Sequence, residues 1–262
     1  MNAAALATEP ELQSRQHDGV LWLTINRPER RNAISPAVLA GLTDALTRAN
    51  ADRELRAIVL TGAGDKAFCA GADLQTGQSF KFDYSEPTQG IANLFRLSRQ
   101  LNVPLVGRVN GACMAGGMGL MAMCDLVVAA PHAKFGLPEV KVGVFPAQVL
   151  AVLRGLIGAR ALTELCITGE PINAHEALSL GLINHVSEDL DAGVQALLSR
   201  FLDKSPAAIR RGLYLMKRIE AMSFEECMAF TESQIALFAL TEDAAEGQAA
   251  FREKRAPKWS GR

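Results

Sequence analysis

The sequence predicts an α/β protein that ends in a helical region, and two observations support this prediction. Short apolar runs rich in β-branched residues alternate with helical patterns up to about residue 200. From Ser205 onward only helical patterns follow. Alternating strands and helices are typical of a sheet whose faces are covered by helices. We therefore expect a flexible leader over residues 1–17, a core over 18–200 and a helical C-terminal region over 201–262.

Four apolar runs are predicted to be strands of the core. The first is ended by Asn26-Arg27-Pro28 and the second turns at Gly62-Ala63-Gly64, because glycine and proline favour turns. The second run is apolar at successive positions, which indicates a strand buried on both faces of its sheet. The four runs cover residues 20–25, 57–61, 104–109 and 125–129.

The helices are predicted from their patterns and their start signals. Ser35 and Pro36 are an N-cap and a first-turn proline, so a helix begins there and continues to about residue 51. Glu242 and Asp243 place acids in the first turn of the last helix, where the helix dipole favours them. The polar segment 75–90 is predicted to be a surface loop. Further helices are expected at 91–101, 147–157, 159–167, 173–180, 189–203, 205–220, 223–239 and 241–254.

The net charge limits the classes of binding partner that are expected, and the cysteine pattern indicates the cellular compartment. The formal net charge is −1 over 262 residues, so neither a nucleic acid nor an anionic membrane is expected to bind. The five cysteines form no CxxC pair and the four histidines are dispersed, which predicts neither a disulfide framework nor a metal site. The N-terminus lacks the basic region of a signal peptide. Together these features predict a cytoplasmic protein.

The segment 110–129 is almost wholly apolar and yet contains four glycines. A membrane span, a phosphate-binding loop and a backbone in close contact with a ligand would each account for part of this pattern. Asp125 lies inside the segment and no basic cluster flanks it, which favours a buried segment over a span. The sequence has no GxxxxGK[ST] motif for a phosphate loop. Close approach of the backbone to a ligand therefore remains as the role of the glycines.

Two segments with small side chains, 68–74 and 110–117, each follow a predicted strand. Their backbone N–H groups could point into one cavity, and two such donors on one carbonyl oxygen form an oxyanion hole. Small side chains are needed because a bulky one would keep the carbonyl from reaching the amides. The pair of segments therefore predicts acyl chemistry.

Further motifs surround these two segments in a definite order. They are Asn26-Arg27-Pro28 with Asn32-Ala33, Lys66 to Leu74, Asn110-Gly111-Ala112 through Gly116-Gly117, Cys124-Asp125, Phe135 to Val140 with Gly143, Gly169-Glu170 with Ala177, Gly181-Leu182-Ile183, and Glu242-Asp243 through Pro257. In this order and spacing the sequence resembles the crotonase (enoyl-CoA hydratase/isomerase) superfamily over roughly residues 18–262. The resemblance implies a crotonase-like spiral of ββα turns, followed by a helical C-terminal trimerisation region. It also implies a homotrimer or a hexamer built as a dimer of trimers.

The resemblance assigns site residues as well. The oxyanion-hole amides would be those of Ala72 and Gly116, and the substrate would be an acyl-CoA thioester, so that coenzyme A belongs to the substrate and no separate cofactor is implied. Lys258 would reach the coenzyme A of a neighbouring subunit. Asp73 is also interpreted as a cap for the turn that follows it. The residues expected to bind substrate are Arg30, Arg31, Ala70, Gly71, Asp73, Leu74, Gly117 and Lys258.

One departure from the family pattern bears on the reaction. Hydratases of the family hold a water between two glutamates, of which the second matches Glu139 and the first falls on Gly119. A single carboxylate next to an oxyanion hole can remove a proton from one carbon and return it to another, which is double-bond isomerisation. Hydration needs a positioned water as well, and Asp83 or Glu86 in the surface loop are candidates for a second acid.

Three functions therefore remain open. Isomerisation of an enoyl-CoA is the preferred one, with hydration beside it. A different crotonase-type reaction on an unusual acyl-CoA, such as hydrolysis, C–C cleavage or decarboxylation, uses the same oxyanion hole. A non-catalytic acyl-CoA binder would keep the fold without the chemistry.

Overall fold

The structure, a computed structural model, describes residues 9–73, 85 and 87–262. Leu74, Asp83, Glu86 and most of the predicted loop therefore lie outside the described residues. The strands are β1 Leu12–His17, β2 Val20–Ile25, β3 Ala57–Gly62, β4 Ala67–Cys69, β5 Leu105–Val109, β6 Ala112–Met114, β7 Leu126–Ala129, β8 Lys134–Gly136, β9 Ile172–Asn173 and β10 His185–Val186. The α-helices are α1 Pro36–Ala51, α2 Gly90–Gln100, α3 Gly116–Ala122, α4 Ala147–Leu153, α5 Ala159–Thr168, α6 Ala174–Ser179, α7 Leu190–Leu202, α8 Pro206–Ile219, α9 Phe224–Ala239 and α10 Glu242–Glu253, with 3₁₀ turns at Pro28–Arg30 and Pro138–Val142.

A six-stranded sheet in the order β1-β2-β3-β5-β7-β10 forms the larger layer. Strand β1 runs antiparallel to β2, and the other neighbours are parallel. The four strands expected from the sequence are confirmed as β2, β3, β5 and β7. Residues 12–17, which the sequence placed in a flexible leader, instead pair with β2 along their whole length. These residues are mostly polar and show no apolar alternation, because an edge strand exposes much of its surface. The sequence pattern therefore did not indicate a strand.

Strand β3 lies at the centre of the core and is buried at every position. Ile58 and Leu60 face the main hydrophobic cluster, which includes α1 and α2. Ala57 and Val59 face a second cluster, to which α7 contributes its apolar residues. The alternation follows from the two-residue period of a strand. The sheet is therefore covered on both faces, as the apolar run predicted.

A second sheet positions the loops that the sequence singled out. Strands β4, β6 and β8 are parallel neighbours, and β9 pairs antiparallel with β8. The apolar segment 110–129 is divided among β6, α3 and β7, which supports a buried segment. No helix among the described residues is long and apolar enough to cross a membrane.

The thiols nearest these loops are buried and protonated. Cys69 and Cys113 lie opposite each other in the β4–β6 ladder, and neither forms a disulfide. Burial raises the pKa of the Cys69 thiol to about 12. Burial, together with the neighbouring thiols Cys69 and Cys124, raises the pKa of Cys113 as well. Cys227 on α9 is more accessible than the other four cysteines.

The C-terminal region is helical as expected, and α8, α9 and α10 begin within two residues of the predicted starts. Asp243, only 1% exposed, ties the region together. Its carboxylate accepts hydrogen bonds from the Ser205 hydroxyl at 2.7 Å and from the backbone N–H groups of Ser260 and Gly261 at 2.8 and 3.0 Å. The start of α10 is thereby fixed to both the start of α8 and the C-terminal segment.

Glycines allow the loops after β4 and β6 to touch. A Cβ on Gly117 would lie 2.2 Å from the Cys69 carbonyl oxygen, so α3 starts directly against β4. A Cβ on Gly71, where φ is +96°, would lie 2.7 Å from the Cβ of Ala115 and 3.1 Å from the amide nitrogen of Gly116. No side chain fits at either position without moving backbone.

We expect Gly71→Ala to lower the unfolding free energy by about 2–4 kcal/mol, because it combines an unfavourable backbone conformation with overpacking. Gly181→Ala is the matched control, since Gly181 also has a positive φ (+76°) but its nearest neighbouring atom would be 3.8 Å away. That control should lose only about 1–2 kcal/mol. Urea unfolding measures both. Equal losses in the two variants would contradict the close contact between the loops.

Candidate active site

Three chain segments that carry candidate chemistry leave the same edge of the second sheet. The segments after β4, β6 and β8 contain Ala72, Gly116 and Glu139 respectively. Because β4, β6 and β8 are adjacent and parallel, their carboxyl ends meet at one edge, with about 4.8 Å between neighbouring strands. Ligands of α/β proteins bind outside the carboxyl ends of parallel strands. Strand order therefore brings together residues that are far apart in the sequence.

The loop after β4 is held so that the Ala72 amide stays unpaired. The Ile34 amide donates to the Gly71 carbonyl at 2.7 Å, and the Asp73 amide donates to the Ile34 carbonyl at 3.2 Å. In this parallel bridge the residues on either side of Ala72 make the hydrogen bonds, so the N–H of Ala72 itself points away from residue 34. Among the described residues this amide has no acceptor.

The loop after β6 presents a second unpaired amide at Gly116. Gly116 is the first residue of α3, and the first amides of a helix lack an acceptor within the helix. Ala115 before it has φ 51° and ψ −123°, a conformation that costs a non-glycine residue about 1–3 kcal/mol. A hydrogen bond of 2.9 Å from the Ala115 amide to the Gly136 carbonyl holds this conformation.

The two unpaired amides lie side by side. A Cβ on Gly116 would be 3.7 Å from the Ala72 nitrogen and 3.5 Å from the Gly71 Cα. Gly116 and Ala72 are both at least partly exposed, so a ligand atom can approach them. Two neighbouring backbone donors without partners are the elements of an oxyanion hole, which stabilises negative charge developing on a carbonyl oxygen.

A buried ion pair anchors the loop that carries Ala72. The Arg27 guanidinium lies 2.7 Å from the Asp73 carboxylate, and both side chains are at most 10% exposed. Arg27 also donates to the Ala33 carbonyl at 2.8 Å and approaches Glu11 at 3.2 Å. The Asp73 carboxylate, expected from the sequence to contact substrate or cap a turn, therefore bonds to Arg27 and fixes the chain next to Ala72.

Glu139 carries the half-buried carboxylate of the site. Its Oε2 atom is buried and has no hydrogen-bond partner among the described residues. Burial raises the pKa of the Glu139 carboxyl, and its own backbone N–H offsets only part of this effect. Its charge contributes, after burial, to raising the pKa of Cys166 on α5. A buried carboxylate oxygen without a partner is costly to the fold, and acids with a perturbed pKa are typical of functional sites.

The position of Gly119 is filled by an aromatic ring from another helix. A Cβ on Gly119 would lie 2.4 Å from Cζ of Phe95 and 3.2 Å from its Cε1 and Cε2 atoms. Phe95, on α2, is 5% exposed. A side chain at residue 119 would therefore need the volume that the Phe95 ring now occupies.

Basic side chains line a cavity at the other end of the second sheet's strands. The cavity has a volume of about 530 Å³ and is lined by Arg31, Asp65, Lys66, Ala112 and His132. The backbone carbonyl of Arg31 accepts a hydrogen bond of 3.0 Å from the Ala70 amide, which ties Arg31 to the loop after β4. An anion such as a phosphate could be held there by the guanidinium and ammonium groups. No group of side chains among the described residues could hold a metal ion.

The other predicted site residues are divided between the two loops and the periphery. Gly71 and Gly117 lie in the contact between the loops, the Ala70 amide donates to the Arg31 carbonyl, and Arg30 is exposed in the 3₁₀ turn Pro28–Arg30. Lys258 lies in the C-terminal segment, where its backbone N–H donates to Glu246 at 2.6 Å. None of its hydrogen bonds or ion pairs with described residues reaches the loops.

Sequence reasoning missed Arg27, Ala115 and Phe95. Arg27 lies in the Asn26-Arg27-Pro28 motif that contributes to the family resemblance, but nothing in the sequence indicates that it pairs with Asp73. Alanine rarely adopts a positive φ, so Ala115 carried no signal. Phe95 fits an ordinary amphipathic helix, and only the fold brings its ring to Gly119.

Comparison with known proteins shows the family of the chain. The family model for enoyl-CoA hydratase/isomerase matches residues 15–262. A crotonyl-CoA hydratase of Syntrophomonas wolfei is 34% identical over 237 residues, which make up 89% of this chain and 91% of that protein.

Solved structures are similar over nearly the whole chain. An enoyl-CoA hydratase from Mycobacterium smegmatis has a TM-score of 0.87 and 35% identity, covering 96% of this chain and 99% of that one. An enoyl-CoA hydratase from Bacillus anthracis has a TM-score of 0.88 and 29% identity, covering 96% of this chain and 100% of that one. The crotonase-like α/β fold implied by the sequence is thereby confirmed. Since the family model spans nearly the whole sequence, this chain belongs to the enoyl-CoA hydratase/isomerase family.

Proposed function

We propose that the protein isomerises a 3-enoyl-CoA to the 2-enoyl-CoA, with Glu139 as its single general acid and base. One observation carries this proposal. Glu139 has a buried, unpartnered carboxylate oxygen, and its segment follows a strand adjacent to those that lead to the two unpaired amides, whereas residue 119 is a glycine covered by the Phe95 ring. One base and an oxyanion hole are sufficient for a proton shift, and a second acid is not needed.

The reaction follows from these groups. The thioester oxygen accepts hydrogen bonds from the Ala72 and Gly116 amides, which makes the C2 proton more acidic. The Glu139 carboxylate removes that proton, and the electron pair moves into a dienolate whose negative charge lies on the thioester oxygen. The protonated Glu139 then returns the proton to C4, so the double bond lies between C2 and C3 and the carboxylate is restored.

Coenzyme A would be held mainly through its phosphates. Arg31 and Lys66 face the basic cavity, and Arg30 is exposed beside it. Charge-assisted hydrogen bonds to phosphate are strong enough to anchor such a substrate. Lys258 would complete this contact from a neighbouring subunit.

Hydration of a 2-enoyl-CoA is the second candidate. It is favoured by the crotonyl-CoA hydratase of Syntrophomonas wolfei and by the two solved hydratases. It requires an acid other than residue 119, and Asp83 and Glu86 lie outside the described residues. The two reactions change the conjugated thioester absorbance in opposite directions.

A paired assay tests the proposal directly. Purified protein receives a 3-enoyl-CoA in one sample and a 2-enoyl-CoA in the other. We expect the absorbance of the conjugated thioester to rise in the first sample and to stay nearly constant in the second. Rapid loss in the second sample would establish hydration instead. No change in either sample would favour another crotonase-type reaction or a non-catalytic binder.

We expect Glu139→Gln to lower turnover by about 10²–10⁴-fold, the usual contribution of a general acid–base. The carboxylate is the active form and its pKa is raised, so wild-type kcat/KM should rise with pH above the ordinary glutamate range. A raised pKa in the folded state also means that ionisation of Glu139 destabilises the fold. As the pH rises from the ordinary glutamate pKa through the raised one, the unfolding free energy of the wild type should therefore fall, whereas that of the variant should not. The exposed Glu164→Gln on α5 is the control. Full activity of Glu139→Gln would exclude Glu139 as the base.

We infer that the C-terminal helices bind further copies of the chain. Large apolar side chains on α8, α9 and α10, and at the C-cap of α9, are exposed, and large exposed apolar patches mark interaction sites. Met216 is 65% exposed, Phe224 74%, Ile235 69%, Leu240 80% and Phe251 86%. Burial of this surface between copies would account for a homotrimer or a dimer of trimers.

The assembly is tested by mass in solution. Wild type should have the mass of a trimer or hexamer, and the double variant Ile235→Asp/Leu240→Asp should shift toward monomer, because charge on a buried apolar interface is costly. Ile167→Asp on α5 removes a side chain that is also 62% exposed and should leave the mass unchanged. A monomeric wild type would refute the assembly. Light scattering after size-exclusion chromatography measures all three.

A further inference from the structure

We infer that Phe95 determines reaction specificity, by keeping water out of the space beside Gly119, one helical turn from the Gly116 amide. This inference rests on the proposed isomerisation and names the residue that suppresses hydration. Position 119 does more than lack an acid, because the Phe95 ring occupies the volume into which any side chain at 119 would project. The ring thus replaces the acid by an apolar surface.

Residue 119 lies one helical turn from the residue that carries the second unpaired amide. Gly116 and Gly119 are three residues apart in the helix, and residues at this spacing lie on one face. The Phe95 ring that covers Gly119 is therefore close to the space next to the Gly116 amide. A side chain at 119 would project toward the Phe95 ring, and the hydratases that the sequence resembles have their first glutamate at this position.

The ring is held in place by its surroundings. Phe95 and its neighbour Leu94 both belong to the main core cluster. Ser98 donates a hydrogen bond of 2.8 Å to the Phe95 carbonyl, one turn along α2. A ring in a close-packed core cannot easily leave its site. The space is therefore closed to solvent in the ground state of the enzyme.

The chemistry of the ring excludes a bound water. An ordered water needs two to four polar partners, and a phenyl ring offers none. Met118 and Met121, the neighbours of Gly119 on α3, are buried and apolar as well. The dienolate is consequently protonated by Glu139 at C4, and the 2-enoyl thioester that results meets no bound water that could add to its C3. The proton that Glu139 removes should also exchange slowly with solvent.

A double-mutant cycle tests the inference. Gly119→Glu alone should gain no hydration, because the new side chain collides with the ring. Gly119→Glu/Phe95→Ala should hydrate a 2-enoyl-CoA about 10²-fold faster than wild type, the low end of what a placed acid–base contributes. Gly119→Glu/Phe201→Ala is the control, since Phe201 packs on the opposite face of the large sheet, and it should gain none. Circular dichroism shows which variants fold.

Two outcomes of the cycle would overturn the inference. Rapid hydration by Gly119→Glu alone would mean that the ring is no obstacle. A double variant that folds, isomerises and still fails to hydrate would mean that Phe95 does not control water. The wild-type paired assay separates these outcomes from failure of the proposed function, which would appear as absent isomerisation before any substitution is made.

The milder substitution Phe95→Leu gives a second readout that needs no new acid. In deuterated water the wild type should return mainly the substrate's own proton to C4, and Phe95→Leu should incorporate more deuterium there. Mass spectrometry of the product measures the difference. Equal deuterium content in the two products would refute the exclusion of water by the ring.

Discussion

The contact between the loop after β4 and the start of α3 is the constraint on which the rest of the site depends. Both unpaired amides belong to this contact, and neither would be available if a side chain kept the loops apart. Gly71 and Gly117 have no side chain and so remove that obstacle. The buried ion pair between Arg27 and Asp73 fixes the loop after β4 next to Ala72. Since every partner here is backbone or buried, the donors are held in place before a ligand arrives. Preorganised donors of this kind stabilise developing charge without rearranging when it forms.

The sequence predicted the long elements and missed the short ones, for a physical reason. Strands β2, β3, β5 and β7 are apolar runs bounded by turn residues, and the starts of α1 and α8 carry Ser-Pro signals. Strands β4, β6 and β8 have three residues each, too few to show a period. They are defined by pairing between distant segments, which one sequence does not reveal. The two small-residue segments were found because their composition is unusual.

The energetic features of the site became visible only in three dimensions. The positive φ of Ala115, the unpartnered Oε2 of Glu139 and the ring packed on Gly119 all oppose ordinary local preferences. Native proteins keep such features where the surrounding fold is strong enough to impose them. Here the imposing elements are the parallel ladder and the fully buried strand β3. Stability in the core thus supports an arrangement that would be unfavourable by itself.

The buried thiols of the second sheet react slowly with oxidants and alkylating reagents. Only a thiolate attacks oxidants and alkylating reagents at an appreciable rate. With a pKa of about 12, Cys69 is ionised in about one molecule in 10⁵ at pH 7. Its ladder partner Cys113 is equally enclosed. The strands that carry these two loops therefore contain thiols that react slowly with oxidants, and thiol reagents should label Cys227 on α9 first, far along the chain from either loop.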